Sequence, residues 1–238
     1  MKRRPMKIFS LLFLFLPSCI FAETVVFKSG KTIEGKIIQK TDEQIQVDAG
    51  GMLTGYPLDG IATINGKGVK AYKTSVDIQE KQDKLVSRGA SAQGAVYLDR
   101  QMYDEAIAEF NKAIEIDPDF ADAYYNRGIA NSKKGNLEKA ISDYSKAIEI
   151  NPRDSDAYFN RGLVYHKKNN LDKAISDYTK VIQISPNVTE TYYNRALDYF
   201  LKEEYDEAWD DVHKAEALGY KVNANFLEEL KKASRRQN

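Results

Sequence analysis

The sequence predicts a mainly α-helical chain in which four helix pairs stack into an α–α superhelix, preceded by a small all-β module and followed by a capping helix. Three observations carry this prediction. A 34-residue period runs through the C-terminal two-thirds of the chain. Short β-type segments separated by turn residues fill residues 23–72. A basic and then apolar stretch at the N-terminus is typical of a segment that directs export.

The composition excludes several functional classes. The 238 residues include 35 lysine plus arginine and 35 aspartate plus glutamate residues, so the formal net charge is zero. A dedicated nucleic-acid binder usually carries a basic excess, and we therefore expect no nucleic-acid partner. One cysteine excludes an internal disulfide, and two histidines leave no His-rich metal cluster. We accordingly expect neither a metal nor another cofactor.

Residues 1–22 are predicted to be a signal peptide. Its basic start consists of Lys2, Arg3, Arg4 and Lys7. The apolar run from Ile8 to Leu16 is long enough for a signal-peptide core and too short to span a bilayer. Two maturation routes fit: cleavage after Ala22, or lipidation of Cys19, because residues 16–19 resemble the lipobox of bacterial lipoproteins. Either route predicts an exported protein, periplasmic or lipid-anchored to the bacterial envelope.

Residues 23–72 are predicted to form a small β module. Five short strands are expected, at 25–27, 32–39, 44–48, 53–56 and 61–64. Gly35 within the second strand suggests a bulge or sharp bend. So many short strands in under 50 residues can bury a core only by curling into a barrel, and the module resembles the small Src-homology-3-like or Sm-like barrels. Residues 73–86 are predicted to be a linker.

Residues with defined helical roles recur at the 34-residue period. The recurring positions are Gly94, Gly128, Gly162 and Ala196, then Ala106, Ala140, Ala174 and Ala208, and also Pro118, Pro152 and Pro186. Small residues let two helices approach closely, and proline ends a helix because it lacks a backbone donor. This pattern resembles the tetratricopeptide repeat (TPR) family. Four repeats fit, at 87–120, 121–154, 155–188 and 189–222.

Residues 223–238 are predicted to be a capping helix and tail. Asn225 and Glu228 have the spacing of a capping box. Phe226, Leu227 and Leu230 would form an apolar stripe that lies on the fourth repeat. A terminal cap of this kind is expected because stacked repeats need a polar outer face.

The resemblance implies a concave groove lined by the first helix of each repeat. The predicted groove residues are aromatic, asparagine and aliphatic at three fixed repeat positions: Tyr125, Asn126, Ile129, Phe159, Asn160, Leu163, Tyr193, Asn194 and Leu197. A carboxamide both donates and accepts, so the asparagines could pair with the backbone of an extended peptide. The alternative is that they bond only the neighbouring backbone. The recurring arginines, Arg127, Arg161 and Arg195, are expected to pair with acidic residues between repeats.

No enzyme signature is evident, because no nucleophile–base spacing and no glycine-rich loop before a helix occurs. The sequence therefore predicts a non-enzymatic scaffold that binds a protein or an extended peptide, with a membrane contact only through a lipid on Cys19. Two alternatives stay open: an accessory or assembly factor of an envelope or cell-wall enzyme complex, and a glycan-binding module that uses Tyr125, Phe159 and Tyr193 as stacking platforms.

Overall fold

The computed structural model describes residues 23–29, 31–40, 44–48, 53–57, 61–64 and 67–234. The predicted signal peptide, including Cys19 and Ala22, lies outside the described residues. The chain divides into two units, residues 1–85 and residues 86–238, which are described one after the other.

The first unit contains an antiparallel sheet with the strand order β4-β3-β2-β1-β5-β6. The strands described are β1 (Glu23–Phe27), β2 (Thr32–Lys40), β3 (Gln44–Asp48), β4 (Leu53–Pro57), β5 (Ile61–Ile64) and β6 (Lys67–Gly68). Alternating apolar side chains supply its core, and the buried ones are Val25, Ile37, Ile45, Val47, Ile61 and Ile64. Ile45 and Val47 follow the period-two pattern, whereas Ile61 and Ile64 are three residues apart and pair with β1 where its register shifts.

The pairings among the described strands leave β4 and β6 at the two ends of the sheet, and none of them closes it into the predicted barrel. Because β6 has only two residues, it offers few backbone groups for a closing pair. The register shifts lie between Val26 and Phe27 and between Ile37 and Gln39. Gly35, where a bulge was expected, pairs regularly with Glu23 and is buried.

Helices make up the rest of the described chain. They are α1 (Val69–Asp99), α2 (Tyr103–Ile116), α3 (Ala121–Lys133), α4 (Leu137–Ile150), α5 (Ser155–Lys167), α6 (Leu171–Ile184), α7 (Thr189–Leu201), α8 (Tyr205–Ala217) and α9 (Ala224–Ser234). Residues 73–86, predicted to be a linker, lie inside α1. From residue 87 onward each predicted repeat contains one helix pair, and successive helices from α2 to α9 pack on one another. The chain is mainly helical, and these pairs form a superhelix.

In three of the helix pairs a glycine on the first helix faces an aromatic ring on the second. Because glycine has no side chain, it leaves room for this ring and lets the two helices approach closely. A Cβ atom added to the glycine would lie 2.7 Å from a ring carbon in each of three pairs, Gly94–Phe110, Gly128–Tyr144 and Gly162–Tyr178. Real Cβ atoms do not approach that closely, so any other residue would force the ring or the helix to move. In the fourth repeat Ala196 replaces the glycine, and the buried Val212 stands in the place of the ring.

The turn inside each helix pair contains one residue with positive φ. These residues are 34 apart: Gln101 (φ 60°), Gly135 (φ 84°), Asn169 (φ 56°) and Glu203 (φ 63°). The left-handed backbone suits glycine and, to a lesser degree, asparagine. Repeats one and four therefore make the same turn with less suitable residues.

Helix α9 covers the end of the repeat array. Leu230 is fully buried and Phe226 is 6% exposed, and both pack in a cluster with Trp209 and Val212 of α8. The predicted cap, Asn225, was wrong by two residues, because the side chain that caps α9 is Asn223. Its Oδ1 accepts from the backbone N–H of Asn225 at 2.9 Å. None of the described helices is long and apolar enough to cross a membrane.

Candidate functional site

The predicted groove residues lie at matching positions of α3, α5 and α7, the first helices of the second, third and fourth repeats. Most are half-buried, and Leu163 is exposed at 36%. Half-burial fits residues that support the helix pair and still reach solvent. The structure joins two of them directly across a repeat boundary, Asn160 and Tyr125.

The three asparagines are not equivalent. The Nδ2 of Asn160 donates to the hydroxyl oxygen of Tyr125 and to the backbone carbonyl of Asp156, both at 3.0 Å. Among the residues that the structure describes, the carboxamides of Asn126 and Asn194 have no hydrogen-bond partner. The local role that the sequence left open is thus seen for Asn160, whereas Asn126 and Asn194 keep both donor and acceptor for a ligand.

The three aromatic residues of the groove use part of their ring surface within the fold. Tyr125 packs against Tyr144 at a centroid distance of 6.0 Å, and Phe159 packs against Tyr178 at 5.9 Å. Tyr193 packs edge-to-face with Phe226 of α9 at 5.7 Å. These contacts hold the rings in place but reduce the open ring face that a sugar would need for stacking.

The hydroxyl of Tyr125 stays protonated at neutral pH. Burial raises its pKa, and the nearby carboxylates of Asp156 and Asp154 raise it further. Since this hydroxyl oxygen already accepts from Asn160, its own proton is available to donate. Tyr125 can therefore donate a hydrogen bond to a carbonyl of a peptide lying beside α3.

Charge differs between the two ends of these helices. The exposed acidic residues Asp122, Asp156 and Glu190 lie in the first turns of α3, α5 and α7. Exposed Lys133 and Lys167 lie in the last turns of α3 and α5. Each sign also suits the local helix dipole, so part of the pattern stabilises the helices themselves. The result is an acidic border on one side of the predicted groove and a basic border on the other.

The recurring arginines form bidentate ion pairs with aspartates sixteen residues later. The Nη2 atoms lie 2.6, 2.8 and 2.7 Å from a carboxylate oxygen in Arg127–Asp143, Arg161–Asp177 and Arg195–Asp211. Each Nη1 donates to a polar side chain of the preceding repeat, namely Asn111, Ser145 and Thr179. The expectation of acidic partners is met within a repeat rather than between repeats, because the aspartate lies on the second helix of the same pair.

Sequence reasoning missed a contact between α5 and α7. The Nδ1 atom of His166 lies 2.5 Å from Oδ1 of Asp198, whose side chain is fully buried. The other oxygen, Oδ2, is buried without a hydrogen-bond partner among the described residues. No other repeat has this pair of residues, so the 34-residue period carries no signal for it.

Burial raises the pKa of Asp198, while the hydrogen bond and charge of His166 act in the opposite direction. A buried carboxylate with one unsatisfied oxygen costs free energy when it is ionised. The His166 side chain is partly exposed, whereas its partner Asp198 is not. In the part of the chain that is described, no group of three or more His, Cys, Asp or Glu side chains could hold a metal ion.

Comparisons with known proteins decide the family. The family model described as "TPR repeat" matches residues 94–135 and 132–169, and the one described as "Tetratricopeptide repeat" matches residues 155–188. A solved structure described as the crystal structure of MamA is 30% identical to this chain. The match covers 75% of this chain and 92% of that one, with a TM-score of 0.54.

This chain belongs to the tetratricopeptide repeat family.

A second crystal structure of MamA protein is 29% identical to this TPR chain, covers 76% of it and 87% of its own length, and has a TM-score of 0.54. A structure described as the MamA RS-1 ArsTM double mutant, at 20% identity and a TM-score of 0.53, shares the fold. It covers 56% of this chain and 75% of its own. No protein in the curated set matches this chain. The TPR fold commonly mediates protein–protein interaction and peptide binding, and such proteins are typically non-enzymatic scaffolds.

Proposed function

We propose that this TPR protein is a scaffold that binds an extended segment of a partner protein along α3, α5 and α7. One observation carries the proposal. The half-buried carboxamides of Asn126 and Asn194 occupy the same repeat position and have no partner within the described chain. A polar group in that state gains free energy from a ligand that completes its hydrogen bonds.

Peptide backbone is the ligand chemistry that fits these groups. A peptide bond presents one donor and one acceptor, as does a carboxamide, so each asparagine can pair with backbone in either chain direction. Tyr125 adds a hydroxyl donor beside Asn126. Leu163, between them on α5, offers exposed apolar area for a ligand side chain. The site would therefore favour an extended segment with apolar residues and impose little sequence preference through its hydrogen bonds.

The charged borders support a particular kind of segment. Asp122, Asp156 and Glu190 would attract basic side chains on one side of the ligand, and Lys133 and Lys167 would attract acidic side chains on the other. Such exposed charges steer association and orientation more than they add affinity. A ligand whose basic and acidic side chains fall on opposite sides would fit best.

The proposal also includes export. It is supported by the basic start and apolar run of residues 1–16, which lie outside the described residues. The small barrel stays a prediction for residues 23–72. The mature chain would begin at a lipidated Cys19 or at Glu23. Intact mass of the mature protein separates the two start points, and a full-length chain in the cytoplasm would contradict export.

The groove is tested by comparing asparagines that differ in their contacts. The Asn126→Ala/Asn194→Ala variant removes two ligand hydrogen bonds and no described intramolecular one. At roughly 0.5–1.5 kcal/mol each, binding of a peptide selected from a display library should weaken about 5- to 150-fold. Titration calorimetry measures the affinity, and circular dichroism checks the fold.

Asn160→Ala is the matched control, because this carboxamide is already used within the fold. It should lower the melting temperature and change the affinity less than the double variant does. Equal affinity of the double variant and the wild type would show that the asparagines do not hold the peptide.

A further inference from the structure

A cavity of about 380 Å³ is lined by residues of α2, α3 and α4 and of the turn between α3 and α4. Its lining is polar and includes Asn111, Arg127, Asn131, Lys139, Ser142 and Asp143. The volume falls in the range of small-molecule pockets, roughly 300–1,000 Å³. None of the predicted groove residues of α3, Tyr125, Asn126 or Ile129, is part of the lining, so this cavity is separate from the site proposed above.

The cavity exists where the repeat pattern changes. The residues at this position of the four repeats are Tyr97, Asn131, Tyr165 and Tyr199. In repeats three and four the tyrosine ring lies under the recurring arginine, with 5.9 Å from the Arg161 guanidinium carbon to the Tyr165 centroid and 5.7 Å for Arg195 and Tyr199. Only the second repeat has a side chain without a ring there.

Repeat three shows what would surround a ring in this position. The Tyr165 ring lies within reach of two cations, Arg161 and Lys173, whose Nζ atom is 5.4 Å from the ring centroid. The corresponding residues of repeat two are Arg127 and Lys139, and both line the cavity. Repeat two thus keeps both cations but lacks the ring that they flank in repeat three.

We propose that this cavity binds an aromatic ring supplied by a tyrosine or phenylalanine side chain of a partner protein. The ring takes the place that Tyr165 has in the next repeat, between Arg127 and Lys139. Arg127 is preorganised for this contact, because Asp143 holds its Nε and Nη2 and Asn111 holds its Nη1. Cations over an aromatic face attract it, most strongly where water is excluded.

The charge balance of the cavity favours a ring over an anion. Arg127 is paired with Asp143, and Lys134 is paired with Asp104, both of which line the cavity. Of the lining cations, only Lys139 has no ionic partner among the described residues. One exposed lysine is a weak attraction for an anion, whereas a ring gains from both Arg127 and Lys139 without displacing Asp143 from Arg127.

The test uses the whole chain and N-acetyl-tyrosinamide as the probe. In a nuclear magnetic resonance titration, the Arg127 Nε–H and Asn131 side-chain signals should shift in a saturable way. N-acetyl-leucinamide, which has no ring, should leave them unchanged. Lys139→Met removes one of the two cations and should weaken the probe about two- to five-fold. Absence of a saturable shift at Arg127 in the folded wild-type protein would overturn the proposal.

Asn131→Tyr fills the cavity with the residue that repeats three and four already have at this place. It should abolish the shifts, because the introduced ring occupies the space that the probe ring needs. Tyr165→Asn is the reciprocal variant and should create a second probe response at Arg161. An unchanged response of Arg127 in Asn131→Tyr would show that the probe binds elsewhere.

The source of the ring is tested with p-cresol and a blocked pentapeptide with one central tyrosine. A partner side chain predicts that the pentapeptide binds at least as tightly as p-cresol, because its backbone adds contacts around the opening. Tighter binding of p-cresol would assign the cavity to free aromatic molecules and overturn the assignment to a partner protein.

Discussion

Repeats three and four share one helix-pair fold but bury their apolar residues in different ways. In repeat three, Gly162 faces the ring of Tyr178, which is fully buried between α5 and α6. In repeat four, Ala196 and Val212 fill the same space with aliphatic carbon. The large ring of repeat four, Trp209, lies instead in the cluster that α9 joins. In the terminal repeat the large aromatic side chain therefore lies at the outer end of the helix pair and not between its two helices.

The polar contacts do not change in this way. Arg161–Asp177 and Arg195–Asp211 have matching bidentate geometry, and each arginine also reaches a hydroxyl of the preceding repeat, Ser145 or Thr179. Such a contact needs only the repeat before it and its own helix pair. The ion pair therefore suits interior and terminal repeats alike, whereas apolar packing depends on the next helix in the stack.

Removal of residues 223–238 is the largest test of this difference. It exposes Trp209 and the rest of the cluster on α8 and loses the burial of Phe226 and Leu230. At roughly 1.5–3 kcal/mol for each side chain, we expect a loss of about 3–6 kcal/mol of stability before entropy is considered. Thermal unfolding followed by circular dichroism should show an earlier transition, and light scattering should show self-association.

Removal of the last four residues, 235–238, is the matched control, because α9 as described ends at Ser234. That shorter truncation should leave the transition where it is in the full chain. A 223–238 deletion that melts like the full chain and stays monomeric would show that α9 does not cap the array.

The second test exchanges the small residues of the two repeats. Gly162→Ala places a Cβ atom 2.7 Å from the buried Tyr178 ring, and overpacking of this kind typically costs about 1–3 kcal/mol. Ala196→Gly in repeat four creates no clash, but it should cost about 0.5–1 kcal/mol through helix propensity and about 0.8 kcal/mol more because the methyl group of Ala196 is fully buried. Chemical denaturation measures both. Alanine is also the better helix former by about 0.5–1 kcal/mol, so a Gly162→Ala variant more stable than wild type by that amount would mean that the ring can move aside freely.

The sequence was sufficient for the parts of the fold that repeat. Gly128 and Ala140 recur at a 34-residue period because the two helices of each pair pack closely at the same places. The helix pairs and the mainly α fold could therefore be predicted. The cap of α9 could not be predicted as well, since Asn223 and Asn225 are both good caps. In the structure the Asn223 side chain accepts from the backbone N–H groups of Asn225 and Phe226.

For the candidate site, the sequence predicts which residues share a repeat position but not which contacts they make. The period places Asn126, Asn160 and Asn194 on equivalent helix faces, but it cannot tell that Asn160 alone meets a hydroxyl, because that depends on Tyr125 having a phenol oxygen and Phe159 having none. Contacts that occur once, such as His166 with Asp198, leave no periodic signal. Contacts that occur in one repeat only therefore have to be read from the structure, because the repeat pattern does not predict them.

The third test concerns the contact between His166 and Asp198, which has no counterpart in the other repeats. Burial raises the pKa of Asp198 above its ordinary value of 3.8, so its contribution to stability is fully present below that value and is lost as the pH rises through the folded-state pKa. Asp198→Asn removes the titration. The melting temperature of the variant relative to wild type should therefore increase between pH 4 and pH 7.

Glu190→Gln on the same helix is exposed and should leave the pH dependence unchanged. Both variants are also made on a His166→Gln background, which removes the second titratable group of the contact. The nearby Tyr178 stays protonated, since burial and the charge of Asp198 raise its pKa. A melting-temperature difference that does not vary with pH would show that Asp198 has the same charge in the folded and unfolded chains.

The smallest expected effect lies in the turns of the two repeats. Both turns place one residue in the left-handed region, Asn169 in repeat three and Glu203 in repeat four. Asparagine tolerates that region, whereas the Cβ atom of glutamate causes a steric clash there that glycine, which has no Cβ atom, does not have. Glu203→Gly should therefore stabilise the protein by about 0.5–1 kcal/mol, a rise of roughly 1–4 °C in melting temperature.

Asn169→Gly is the matched variant and should gain less, because its native residue already suits the turn. Gly135→Ala, in the same turn of repeat two, should lower the melting temperature. Equal gains for Glu203→Gly and Asn169→Gly would mean that the two turns are equally strained, and the difference between the repeats would then rest on packing alone.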